Sequence, residues 1–469
     1  MRLTVGMMLA LPHVDRLRFD TLKGRSASGV STDSRTIAPG SLFFALHGEN
    51  YDGHRFVDEA DRKGALAAVV DPAGVPLVRG SLPLLIVSDT TAAIGMLALQ
   101  HRERFDIPVL AVAGSNGKTT TKEMIASVLR TKYEVLSTQG NLNNHIGIPL
   151  TLLRLEKRHE VAVVELGTNH PGELARLCAI VRPTMGLLTN IGREHLEFFG
   201  SLDGVEEEEG SLFESLRGVA GAVALVNADD ERVVRRVPSG LKAIAYGLHP
   251  GPAIQGSLVS RTDRGAAIFE FTGVRVKKPV TVTLAIPGEH NAQNALAAVA
   301  AGLMLRVPAK SIKQALEAFQ AASKRMEVLS LGGVTIINDA YNANPDSMLA
   351  ALRTLAAASA TGKRIAVLGD MRELGVHGPE EHARMGREAA ALGIDYVLTF
   401  GTLAALIHDG ARGTFAVHYD QKNMLAEWLA ELVSPGDVVL VKASRGLKME
   451  DVVTFLTERL GSTVPMYAK

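Results

Sequence analysis

The residues with the most evident chemical potential are GSNGKTTT at 114–121. Glycines let a loop turn tightly and expose its backbone N–H groups to phosphate oxygens. A helix that starts at such a loop aims its positive end at the same anion. In this arrangement Lys118 contacts the β- and γ-phosphates, and Thr119 has the hydroxyl position that ligates Mg²⁺. The usual signature places glycine six residues before the lysine, where this chain has Val112, so the match is to a shorter variant, G-x-x-G-K-T-T. Gly114, Ser115, Asn116, Gly117, Lys118, Thr119 and Thr120 are therefore candidate nucleotide contacts. A chance glycine turn is the alternative. The apolar run IPVLAVAG before the loop and the helical pattern KEMIASVLRTKY after it argue against that.

Two more clusters stand after predicted strands. Glu165 follows the run VAVV, at the carboxyl edge where α/β proteins bind ligands, and a carboxylate there holds Mg²⁺ directly or through water. A helix-capping or salt-bridged glutamate is the plainer alternative. Asn190 and His195 follow the run MGLL. Magnesium prefers oxygen, so His195 taken alone reads as structural or solvent-exposed.

The elements that must position these groups alternate. Apolar runs at 107–114, 161–167, 185–190 and 222–227, with helical stretches between most of them, predict a doubly wound α/β sheet. Period-two runs within 253–286 predict an antiparallel patch, followed by a helix over 291–305. Near residue 320 the pattern restarts with VTIIND, RIAVLGD, YVLTFG and DVVLVKA, which predicts a Rossmann-like unit without a dinucleotide fingerprint. Residues 1–104 mix short strands (SLFFAL, LAAVV) with helical runs. The expected division is three domains: 1–104, 105–320 and 321–469.

Composition agrees with a soluble, globular, multidomain chain. The 469 residues exceed one ordinary core. Fifty basic and fifty acidic residues cancel, which gives no bulk attraction to nucleic acid. The single cysteine, Cys178, excludes an internal disulfide framework and a four-cysteine zinc site, and fits a reducing compartment. No run of about 20 apolar residues occurs. The N-terminal stretch meets Pro12, His13, Asp15 and Arg16 early and reads as an ordinary opening helix, so a cytoplasmic chain without membrane insertion is expected.

Several segments carry a family resemblance in a fixed order. They are STDSR (31–35), PGSLFFALHGENYDGHRF, AGSNGKTTTK, GNLNNHIGIPLTLL (140–153), ELGTN, TNIGREHLE, GEHNAQNALAA (288–298), KRMEV (324–328), NDAYNANPDSM (338–348), LGDMRELG (368–375) and VLVKASRGLKME (439–450). Over all three predicted domains the chain resembles the Mur ligases, which build the peptide stem of bacterial peptidoglycan precursors. Within that family it is most similar to members that join D-alanyl-D-alanine to UDP-N-acetylmuramoyl-tripeptide. The Asp-Asn-Pro-Arg type segment of the diaminopimelate- or lysine-adding members is absent. The alternatives are such a relative, a folate polyglutamylating ligase, or a nucleotide-driven switch; a switch does not need UDP-like and adenine-like segments in separate domains.

The resemblance implies a two-step reaction with ATP and Mg²⁺. ATP phosphorylates the tripeptide's terminal carboxylate, and the dipeptide amine displaces phosphate. It implies that Lys118 stabilises the transferring phosphoryl group, that Thr119 and Glu165 serve one Mg²⁺ and that His195 serves a second. It places Asn291 and Asn294 toward adenine, Arg325 on the phosphates and Asp339 near the ribose. Ser31, Asp33, Ser34 and Arg35 would face the uridine end, Asn143 and Asn144 the substrate side of the central domain, and Tyr341, Asn342 and Asn344 the dipeptide. For the uridine-side residues a polar loop is an equal alternative. A monomer is expected.

One position departs from the family. A lysine that CO₂ converts to a metal-binding carbamate is usual where this chain has Glu209, within EEEEGSLFE. Glu209 carries a permanent charge and so replaces the carbamate on this reading, although its reach is shorter by three bonds, about 4 Å. A solvated acidic helix face is the alternative.

Overall fold

The computed structural model describes residues 3–48 and 51–461. Its strands form three main sheets. The first runs in the order Asp15–Leu17, Leu84–Ile86, Ala67–Val70, Leu42–Phe44, Val30–Ser31, parallel except for Asp15–Leu17. Its middle strands are buried along their whole length, as expected of apolar runs covered on both faces. The opening helix is short, Val5–Leu9, and Met8 anchors it in the core.

The central sheet has nine strands. Their order is Val135–Ser137, Val161–Glu165, Val109–Ala113, Met185–Leu188, Val223–Asn227, Lys242–Gly247, Ile254–Arg261, Ala266–Gly273, Val276–Pro287. The pairs are parallel as far as Ile254–Arg261, and the last two pairs are antiparallel. The expected antiparallel patch thus continues the parallel sheet rather than forming a separate one. Two strands were not legible in the sequence. Val135–Ser137 is three residues long, and Lys242–Gly247 has two exposed residues followed by two half-buried ones, so it lacks the continuous apolar signature. Strand order reverses at Val109–Ala113, whose neighbours are Val161–Glu165 and Met185–Leu188. This is the switch point at which α/β sheets open a crevice at their carboxyl ends.

The third sheet runs Glu327–Leu331, Val334–Asp339, Val438–Lys442, Arg364–Gly369, Tyr396–Phe400, Phe415–Tyr419, parallel except at Glu327–Leu331. Among the described residues no helix is long and apolar enough to cross a membrane.

Two junctions tie these sheets together. The helix Thr90–Arg102 is capped by Asp89, which accepts the Thr91 and Ala92 N–H groups, and it packs on Gly147–Leu152 and Glu173–Val181 of the central unit. Buried Arg102 donates to the carbonyls of Phe105, Val181 and Arg182. At the second junction the helix Pro345–Ala357 points its N-terminus at the central unit. Its cap, Asn344, accepts the Ser347 N–H and donates to Asn116 Oδ1 at 2.9 Å. Asp346 accepts the Arg193 N–H at 2.7 Å and its guanidinium at 2.9 Å. An acid in this first turn also suits the helix dipole. Arg193 further reaches Glu381 at 3.4 Å.

Because the Arg193–Asp346 pair is part-exposed, Asp346→Ala is expected to lower stability by only about 1 kcal/mol. Its larger effect is on geometry: small-angle scattering should show a wider distribution of arrangements of the third unit than in the wild type. An unchanged scattering curve would mean that the latch does not hold the closed arrangement.

Candidate active site

The loop at 114–117 leaves the switch-point strand through a turn that only glycine can make. Gly114 has φ +111°, and a Cβ there would lie 2.4 Å from Thr189 Oγ1 and 2.8 Å from Thr189 N. Gly117, at φ +79°, caps the helix Lys118–Arg130, and a Cβ there would meet Asn294 Oδ1 at 2.5 Å. The adjoining strand end grips the loop. Ser115 N–H donates to Asn190 O, Asn116 N–H donates to Asn190 Oδ1, and Asn190 Nδ2 donates back to Asn116 O. Ser115 Oγ is paired with the Gly192 backbone. The helix N-terminus therefore faces the crevice with its first N–H groups clear of the sheet, an arrangement suited to an anion.

Lys118 and three carboxylates form the charged centre. Lys118 Nζ lies 3.2 Å from Glu194 Oε2. Burial opposes the ammonium's charge, but Glu194, Glu209 and Glu165 outweigh it and raise its pKa. Glu165 Oε1 accepts Thr119 Oγ1 at 3.0 Å and Asn143 Nδ2 at 2.8 Å, while its Oε2 is buried without a partner. Glu209 Oε2 accepts the Gly114 N–H at 2.7 Å. Burial, reinforced by the facing Glu194 carboxyl, pushes Glu209 well above the usual carboxylate range against the pull of Lys118.

His195 sits at φ +48° at the start of Leu196–Phe199. Its Nδ1 is hydrogen-bonded to Glu373 Oε2 of the third unit, and this bond is the main cause of Glu373's lowered pKa. With Nδ1 so engaged, Nε2 carries the free lone pair. It lies 3.8 Å from Glu194 Oε2.

Lys118, Glu165, Glu194, His195 and Glu373 line one cleft of about 1320 Å³ between the central and third sheets. From the third unit, Arg325 stacks on the Tyr341 ring, with its guanidinium carbon 3.8 Å from the centroid. Arg325 is held in a turn between Lys324 and Met326, both with positive φ. That turn is pinned by Met326 N–H to Asp339 Oδ1 and by Tyr341 N–H to Lys324 O. Asp339 Oδ2 is paired with buried Lys442 at 2.6 Å.

The structure brings together most of the residues singled out by sequence. Ser115 to Thr120, Asn143, Asn144, Glu165, His195, Asn291, Asn294, Arg325, Asp339, Tyr341, Asn342 and Asn344 all line the cleft. Asn294 Oδ1 accepts Thr121 Oγ1, its Nδ2 donates to Asn291 Oδ1, and Asn291 Nδ2 donates to Pro287 O, so the two amides also brace the loop helix. Asn144 caps the turn into Gly147–Leu152. Ser31, Asp33, Ser34 and Arg35 lie in the first unit away from this cleft, and Asp33 and Arg35 are paired with each other. Gly114 and Glu209 stand behind the loop and do not line the cleft.

Sequence reasoning missed Glu194, Glu373, Lys442 and Arg445 among the cleft residues. All four lie inside segments that carried the resemblance, TNIGREHLE, LGDMRELG and VLVKASRGLKME. A charged residue at a strand end was the available signal, but nothing in the linear spacing says that Glu373 meets His195.

The same organisation appears in known proteins. Residues 26–102 match the Mur ligase family catalytic domain, 112–302 the Mur ligase middle domain and 324–445 the Mur ligase glutamate ligase domain. The chain is 37% identical to the UDP-N-acetylmuramoyl-tripeptide–D-alanyl-D-alanine ligase of Bacillus subtilis and 38% identical to that of Escherichia coli, in each case over 92% of this chain and 93% of the relative. A crystal structure of MurF from Acinetobacter baumannii superposes with a TM-score of 0.88 at 32% identity, covering 98% of this chain and 99% of that one. MurF from Thermotoga maritima in complex with ADP superposes at 0.81 with 29% identity, covering 92% and 98%.

Removing the ammonium from the charged centre tests its balance. Lys118→Met is expected to cost about 3–5 kcal/mol near neutral pH, since it strands buried carboxylates. Glu209, already held above the usual carboxylate range, then loses the opposing pull of Lys118. The stability it contributes is present below the ordinary carboxylate range and is lost as pH rises through the raised value. Thermal melts should therefore show a smaller deficit against wild type at pH 5 than at pH 8, and a pH-independent deficit would contradict the balance.

Proposed function

We propose, from the premise that the chain belongs to the Mur ligase family, that it joins D-alanyl-D-alanine to UDP-N-acetylmuramoyl-tripeptide at the expense of ATP, in peptidoglycan precursor synthesis. The observation that carries this reading is the single cleft in which a phosphate loop, Lys118 and Glu165 on the central sheet face Arg325 and Tyr341 on the third. Residues 1–104 would take the UDP end, 105–320 the ATP and 321–469 the dipeptide. The reaction would take place in the cytoplasm.

A carboxylate resists attack by an amine. Phosphorylation gives it a leaving group, and the enzyme's task is then positioning and charge neutralisation. The loop N–H groups and the positive end of Lys118–Arg130 bind the phosphates. Lys118 and Arg325 approach the transferring phosphoryl group from opposite sides of the cleft. Asn291 and Asn294 stand toward the base, whose edge an amide matches with one donor and one acceptor. Asp339, held by Lys442, orients the Arg325 turn as well as bordering the nucleotide. Asn143 and Asn144 border the tripeptide's carboxyl end, and Tyr341, Asn342 and Asn344 border the dipeptide. Asn344 donates to Asn116 of the phosphate loop, so the same cap that begins the dipeptide segment senses the position of the loop. Closure of the third unit excludes water from the acyl phosphate.

The donor set also fits a hard divalent cation. Glu165 has a buried oxygen with no partner beside the Thr119 hydroxyl, and His195 presents a free ring nitrogen. Thr119, Glu165 and His195 would hold Mg²⁺, which supplies neutralisation of phosphate charge when bound.

Phosphate release from ATP should require both UDP-N-acetylmuramoyl-tripeptide and D-alanyl-D-alanine. Equal release with either substrate omitted would overturn the ligase reading. Because position 209 is a glutamate rather than a lysine, the rate in bicarbonate-free buffer should equal the rate with bicarbonate. A loss restored by bicarbonate would show that a modified lysine elsewhere is needed.

A further inference from the structure

Of the segment LGDMRELG only Glu373 has entered the chemistry described so far. Its neighbour Arg372 also lines the cleft. Consecutive side chains of an extended chain point to opposite sides. Glu373 stands at φ +62°, and this left-handed turn breaks the alternation, so that both side chains border the cleft.

Two features place Arg372 beside the segment Tyr341–Asn344. Its backbone N–H donates to Ser444 Oγ at 2.8 Å, and that buried hydroxyl donates to Ala343 O at 3.3 Å, between Asn342 and Asn344. Its guanidinium lies against Gly446, where a Cβ would stand 2.3 Å from Nη1 and 2.7 Å from Cζ. A side chain at 446 would take the space in which the guanidinium rests. Gly446 in turn follows Arg445, whose guanidinium carbon is 5.8 Å from the Tyr341 ring centroid.

The cations of the cleft differ in what they have left to offer. Lys442 is paired with Asp339, and Arg445 with Glu450. Arg325 covers the Tyr341 ring and is assigned to the phosphoryl group. Arg176 stands on the helix Glu173–Val181, which packs on Thr90–Arg102 at the far side from the third unit. Among the described residues the Arg372 guanidinium has neither an ion-pair nor a hydrogen-bond partner. A guanidinium seated by shape, with its fork of donors unspent, is a receptor for a planar carboxylate.

The incoming dipeptide brings such a group. Its amine is consumed in the reaction and its terminal carboxylate is not. Two extended residues set the carboxylate about 7 Å from the amine, so its anchor belongs beside the phosphoryl contacts rather than among them. The adjacent Glu373 carboxylate repels a multiply charged phosphate more than a dipeptide that arrives with its own ammonium.

We propose that Arg372 binds the terminal carboxylate of the incoming dipeptide and so sets the preference for a free acid at that end. This rests on the ligase reading above.

The test compares D-alanyl-D-alanine with D-alanyl-D-alaninamide, which lacks that negative charge, in steady-state assays on the full chain with saturating ATP and UDP-N-acetylmuramoyl-tripeptide. The wild type should prefer the acid in kcat/KM by at least about ten-fold, the worth of one charge-assisted hydrogen bond. Arg372→Met should raise the KM for the acid by a similar factor and bring the preference close to one. Its KM values for ATP and UDP-N-acetylmuramoyl-tripeptide should stay at wild type, which also reports folding. Arg372→Lys keeps the charge without the fork, and serves if the methionine variant does not fold; it should narrow the preference in part. The inference is overturned if the folded variant prefers the acid as strongly as the wild type. It is also overturned if the KM that rises is that of ATP or the UDP-linked tripeptide. A wild type that uses acid and amide equally well overturns the inference alone. One that forms no product with either overturns the ligase reading as well.

Discussion

Three carboxyl groups lie out of water around the loop at 114–117, with one ammonium, Lys118, among them. The pairing sets much else. Glu209 holds the Gly114 N–H and so fixes the turn that aims the loop. Glu165 holds Thr119 and Asn143, which joins the loop helix to the neighbouring strand-end segment. Glu194 draws Lys118 toward His195. A loop of this kind must present its amides to an anion without filling the space itself. Its backbone is fixed by Asn190 and Glu209, Thr189 and Asn294 stand close against its glycines, and Asn344 of the third unit meets the Asn116 side chain.

The third unit completes the site through several directed polar contacts, set beside apolar packing that the two units share. Asp346 and Glu381 meet Arg193, Glu373 meets His195, and Asn344 meets Asn116. Polar contacts of this size are individually weak and easily exchanged with water. That suits a junction that has to admit three substrates and release products. It also means that cleft residues of the two units hold one another: His195 meets Glu373 on the opposite wall, and Asn116 of the loop meets Asn344, the cap of Pro345–Ala357.

The backing role of buried amides shows how one residue serves two purposes. Asn294 lines the cleft while its side chain bonds Thr121 and Asn291. Asp339 borders the cleft while holding Lys442 and the Arg325 turn. The cleft lining and the loop and turn geometry are thereby coupled, since moving either the amide or the acid disturbs both.

Residue order by itself determined the strand–loop–helix around Lys118, the repeated buried strands of the central and third sheets, and the identity of most cleft residues. Those features are local: an apolar run, a glycine turn and a helix start are written within about a dozen consecutive residues. The family motifs extended this reading to Arg325 and Asp339, whose neighbours in sequence gave no chemical cue. Only the tertiary structure decided that Glu373 orients His195, that Lys442 holds Asp339, and that Glu209 faces the back of the loop while Glu194 faces the cleft. It also decided that the antiparallel strands extend the central sheet. The physical reason is that each of these depends on pairing across long sequence separations, where a side chain's partner and its access to water are set by how sheets and helices pack. Glu208 makes the point beside Glu209: the same residue type one position earlier points elsewhere and binds the backbone at Gly172 and Leu174. Nothing in the run EEEE distinguishes the two, but a rotation of about 100° along the helix does.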